Sequence, residues 1–156
     1  MDQSRSLSLK MELIWWLVTA ILVAAILYPI LKYTDNYPFL ILNIVYIIVF
    51  VTLSRYIFLL KYTVLANAQL VKVAIILLSV PIIAYLINGI NFFQTYIDEN
   101  GMDSFLSPNA AFNQEQLGSF IRNELILFGV GSVIAAIVLP FRLILSLWRW
   151  KNRGTV

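Results

Sequence analysis

The chain has 156 residues, 61% of them hydrophobic and 12% charged, with a formal net charge of +3. A water-soluble domain carries about a quarter charged residues, so the composition excludes one and points to a chain dissolved in lipid. The absence of cysteine and histidine excludes disulfides, thiolate chemistry, the usual zinc sites and histidine-ligated haem, and the reading includes no metal and no cofactor.

A helix crossing the hydrocarbon needs roughly 20 mostly apolar residues. Four runs meet that need, at about 13–33, 38–60, 70–94 and 122–147. They predict an all-α, polytopic integral membrane protein. Its four transmembrane helices form an antiparallel bundle, with residues 1–156 making one transmembrane domain.

Residues 1–12 carry Arg5 and Lys10 ahead of an apolar run, which is also how a signal peptide begins. The run is longer than the 7–15 residues of a signal core, so a retained first span is expected. Trp15 and Trp16 sit at its start, at the depth indole rings prefer. A short link, 32–37, makes the first two spans antiparallel neighbours, and Pro38 suits the first turn of the second. Pro81 lies inside the third span and should kink it by removing a backbone hydrogen bond.

The only long connection runs from Gln94 to Phe120. Asp98, Glu99, Asn100 and Gly101 read as a turn, with glycine able to take positive φ. Ser107 and Pro108 resemble a helix start. Ala110, Ala111, Phe112, Leu117 and Phe120 would then line a short interfacial helix.

On a helical wheel the last span has two unlike halves. Ile126, Leu127, Val130, Val133, Ile134, Ile137, Val138 and Phe141 occupy one. Gly129, Gly131, Ser132, Ala135 and Ala136 occupy the other, with Glu124, Arg142, Ser146 and Arg149. Helices associate in lipid through close backbone approach, so the small half is expected to be a helix-packing face.

Lysine and arginine accumulate on the cytoplasmic side of short loops. Four spans place nine of them, Arg5, Lys10, Arg55, Lys61, Lys72, Arg142, Arg149, Lys151 and Arg153, on one side and only Lys32 and Arg122 on the other. Both termini are therefore expected in the cytoplasm. The lack of N-glycosylation sequons fits a bacterial inner membrane. The small positive charge sits at membrane edges and reads as topology, with the lipid bilayer as partner and no nucleic acid. The basic tail 148–156 suits anionic headgroups.

Ionisable groups within a membrane are expensive and suggest function. Arg142 projects from the small-residue face, and Glu12, near the same membrane surface, is expected to pair with it. A second polar cluster is expected toward the other surface, from Asn43, Asn88, Asn91 and Glu124. It would be either a small cavity or a set of interhelical hydrogen bonds. Gly129 to Ser132 resemble a serine-protease motif, but no histidine is available as base. An aspartyl protease needs paired carboxylates at mid-membrane, and there are none. Nor do Asp98, Asn100 and Asp103 follow calcium-loop spacing.

The leading expectation is a non-enzymatic membrane protein acting through association, with other membrane subunits or with itself, as a subunit or accessory factor of a larger assembly. The alternative is a small oligomeric transporter or channel using the Asn43, Asn88, Asn91 and Glu124 cluster, and a lipid-modifying enzyme ranks third.

Overall fold

The computed structural model describes residues 2–34, 36–106 and 114–152, and the side chains of all of these except 2–8, 103 and 105. Four α-helices account for nearly all of it: α1 (Asp2–Tyr33), α2 (Leu40–Leu59), α3 (Gln69–Asn100) and α4 (Gln114–Asn152). Each is long and apolar enough to cross a membrane. Short 3₁₀ turns at Leu60–Tyr62, Val64–Ala66 and Met102–Phe105 connect them. A single antiparallel bridge, Thr34 to Leu106, is the only strand-like pairing among the described residues.

The chain enters α2 through Pro38 and Phe39, where the Asn43 N–H donates to the Phe39 carbonyl at 2.9 Å. Pro38 therefore lies just outside the helix, not in its first turn. Helix α3 continues past its apolar run to Asn100, because backbone bonding continues whatever the side chains are. It stops at Gly101, whose φ of +77° is the left-handed conformation that glycine takes at least cost. Asp98, Glu99 and Asn100 thus belong to the helix, and only Gly101 makes the turn.

Helix α4 begins about two turns before its apolar run. Leu117 and Phe120 are therefore residues of α4 and not of a separate interfacial helix, and Leu117 is buried. Ser107, Pro108, Ala110, Ala111 and Phe112 lie outside the described residues. Pro29, Pro81 and Pro140 all sit inside helices, and α3 runs through Pro81 as unbroken helix.

Helix α4 is the centre of the packing: α2 and α3 both lie along it, while α1 packs mainly on α2 and the turn after it. Some 39% of α4's apolar window is buried, against 17%, 22% and 17% for α1, α2 and α3. The cause is the flank that α4 presents. Gly129, Ser132, Ala135 and Ala136 are buried and Gly131 is half-buried. Leu127, Val130, Ile134, Ile137, Val138 and Phe141 are exposed to lipid. A Cβ on Gly129 would stand 3.2 Å from Ile90 of α3 and 3.3 Å from the Tyr46 ring of α2. One on Gly131 would stand 2.8 Å from the Phe50 ring, which packs edge-on against Phe128 at 5.6 Å.

Gly131→Leu is therefore expected to push α2 off α4 and to cost about 1–3 kcal/mol of overpacking strain. Thermal unfolding in detergent should show a lowered midpoint for Gly131→Leu and little change for Val130→Leu, on the lipid face.

Candidate functional site

Two groups of polar side chains lie within the bundle, one toward the end carrying Arg122 and one toward the end carrying Arg142. At the Arg122 end, Asn43 of α2 is fully buried. Its Nδ2 donates to Glu124 Oε2 of α4 at 2.7 Å and to the Tyr37 hydroxyl at 3.3 Å. Asn43 Oδ1 and Glu124 Oε1 have no partner among the described residues. Burial raises the pKa of the Tyr37 phenol far above its ordinary value, with the Asn43 hydrogen bond pulling the other way. Tyr37 is thus a neutral hydroxyl.

An aromatic plug closes this end. Phe39 is enclosed by Tyr37, Phe92, Phe93 and Tyr96, all edge-to-face at ring separations of 5.0–6.0 Å, the range such pairs favour. One turn deeper in α2, the Tyr46 hydroxyl donates to the Leu86 carbonyl of α3 at 2.8 Å. Gly89 makes room for it, since a Cβ there would stand 2.5 Å from that hydroxyl. The clefts at this end, of about 460 and 180 Å³, are both lined by Ile97 and Arg122, and neither includes Asn43 or Glu124.

Asn88 and Asn91 do not join this cluster. Both are exposed, on the side of α3 away from α4, and neither makes a side-chain hydrogen bond with a described residue. The reason is angular. The residues that α3 turns into the bundle are Lys72, Ser79, Leu86 and Phe93, at seven-residue spacing, and at 100° per residue Asn88 and Asn91 point almost directly opposite.

Their depth follows from α4. Ile90 lies level with Gly129, which sits seven residues, about 10 Å, below Arg122. Asn91 and Asn88 are then about 9 and 13 Å below Arg122 along the bundle.

At the Arg142 end, Glu12 pairs with Arg55 and not with Arg142. Helix α1 packs on α2, so the Arg55 guanidinium is the cation within reach of Glu12. The other carboxylate oxygen accepts from the Val64 N–H at 3.2 Å, and Arg55 stacks on Tyr56 at 4.9 Å. Arg142 instead donates from Nε to the Ile57 carbonyl at 3.2 Å. That carbonyl is among the last four of α2, which have no partner within their own helix, and cations are favoured at this pole of the helix dipole.

Lys72 was missed in the sequence, where it counts only as a loop charge. It is fully buried, and its Nζ donates to the Ala66 carbonyl, Gln69 Oε1 and Ser146 Oγ at 2.7, 3.1 and 3.0 Å. Its signal was available: it lies seven residues before Ser79 on what becomes the core face of α3.

Two mutational cycles test these contacts. Glu12→Ala should destabilise the protein in detergent and be offset by Arg55→Met but not by Arg142→Met, with a coupling of about 0.5–3 kcal/mol for the Glu12 and Arg55 pair alone. Asn43→Leu should cost about 1–3 kcal/mol by stranding the Glu124 carboxyl, and adding Glu124→Leu should recover part of the loss.

Comparison with protein-family models, with curated proteins and with solved structures finds no match to this chain.

Proposed function

We propose that this is a non-enzymatic integral membrane protein that acts by association, as a small subunit or accessory factor of a larger membrane assembly. The observation that carries this reading is the pair of lipid-facing amides, Asn88 and Asn91. A carboxamide in hydrocarbon without a hydrogen-bond partner is costly, and a neighbouring helix is the ordinary means of satisfying one.

The inward polar groups support association over transport. Asn43 and Glu124 are hydrogen-bonded to each other beneath an aromatic plug, and the clefts at that end do not include them. Glu12, Arg55, Lys72 and Arg142 are engaged in joining helices and capping turns. The nine-to-two distribution of cations supports cytoplasmic termini under the positive-inside rule, and the lack of N-glycosylation sequons fits a bacterial inner membrane.

The test is the mass of the species recovered from native membranes in a mild detergent. A defined complex larger than one chain is expected. Asn88→Leu with Asn91→Leu should shift it toward the monomer, each lost interhelical hydrogen bond being worth about 0.6 kcal/mol. A lone chain from the gentlest extraction would falsify the reading.

A further inference from the structure

We propose that the occupant of this outward face of α3 is the same face of a second copy, making α3 the seam of a parallel, two-fold dimer. This rests on the association reading above and names its partner.

The face is a continuous stripe. Leu77, Pro81, Ala84, Asn88, Asn91 and Thr95 alternate at spacings of four and three residues, and every one is exposed. Such spacing holds one side of a helix against a neighbour that winds gently round it over several turns. The stripe lies opposite Lys72, Ser79, Leu86 and Phe93, so α3 has two contact faces, of which this structure occupies one. The unoccupied one carries the amides, the reverse of what a surface made only for lipid requires.

Its chemistry suits a copy of itself. All copies insert in the same direction, so a two-fold axis along the membrane normal sets each residue of one α3 against its equivalent in the other. Like meets like, and most polar side chains do badly in that position. A carboxamide does not, because it carries both a donor and an acceptor, so Asn88 and Asn91 can each satisfy their own equivalent. No residue of the stripe from Leu77 to Thr95 is charged, so nothing repels its copy within the hydrocarbon. Ala84, one turn from Asn88, allows the backbones to approach closely, as helix pairs in lipid require. Tyr85 and Phe92, both exposed, flank the stripe and supply contact area. A different partner would have to bring hydrogen-bonding groups of its own at matching depth; a second copy already has them.

The natural absence of cysteine permits a clean test by oxidative crosslinking in native membranes, with single-cysteine variants that leave Asn88 and Asn91 intact. Leu77→Cys, Ala84→Cys and Thr95→Cys should give a disulfide-linked dimer. Ile82→Cys, exposed on α3 but well off the stripe, should not. Adding Asn88→Leu and Asn91→Leu should lower the yield of dimer at Ala84→Cys several-fold.

Equal crosslinking at Ile82→Cys would mean random collision and overturn the proposal. If no dimer forms on the stripe while the extracted complex keeps its larger mass, the partner is another protein: this proposal fails and the association reading stands. If the extracted species is one chain and no dimer forms, both fail.

Discussion

The distance at which α2 and α3 can approach α4 governs this bundle. In water, apolar side chains would drive these helices together. In lipid they do not, because a leucine is as well solvated by acyl chains as by another leucine. What remains is dispersion between closely fitted surfaces, a quarter to a half of which is lost over a gap of about 0.5–1 Å, and hydrogen bonds between helices. Gly129 and Gly131 remove the side chains that would hold the neighbours away, and Tyr46, Ile90 and Phe50 move into the space. One glycine touches both neighbours: Gly129 faces Ile90 of α3 and the Tyr46 ring of α2. Helix α4 is therefore the axis on which the other two are located.

The interior hydrogen bonds depend on that approach. Asn43 reaches Glu124 only because α2 lies tight against α4, and Tyr46 reaches the Leu86 carbonyl only because Gly89 yields on α3. At the opposite end the cations work differently. Arg142 and Lys72 donate to backbone carbonyls at the end of α2 and in the turn beyond it. These are groups that helix termination leaves without partners, where water is scarce enough for the deficit to matter. Charges that resemble a functional cluster in the sequence thus close the ends of helices. Glu12, the acid that joins them, fastens the peripheral α1 by accepting from Arg55 and from the Val64 N–H.

Much of this architecture was legible in the sequence, for reasons of length and period. Four apolar runs of spanning length are four helices, because the hydrocarbon admits no other way for a lone segment to satisfy its backbone. The two-sided pattern of α4 was visible as well, since wheel positions separate glycine and alanine from leucine and phenylalanine. The order of helices around the bundle was not legible. A wheel gives the angle at which a side chain leaves its own helix and says nothing of which neighbour stands there. That gap explains why Glu12 was matched to Arg142 when α2 and its Arg55 lie alongside α1. It also explains why Asn43, Asn88 and Asn91 were grouped by depth alone. The helix ends were hidden differently: α3 and α4 extend beyond their apolar runs because hydrogen bonding, not hydropathy, decides where a helix stops.

The contrast between Asn43 and the pair on α3 carries the functional argument furthest. All are carboxamides below the membrane surface, and all cost the same to remove from water. Asn43 is paired with Glu124 within the chain, as a buried amide must be. Asn88 and Asn91 lie deeper and are exposed, and neither makes a side-chain hydrogen bond with a described residue. A bundle needing only its own stability would place leucine there, as it does at Leu78, off the stripe and lower on the same helix. Two polar residues one turn apart on a lipid-facing surface lower the stability of an isolated chain and raise that of an associated one. On the proposed reading, in which α3 is an inner helix of something larger than one copy, that placement has a physical reason.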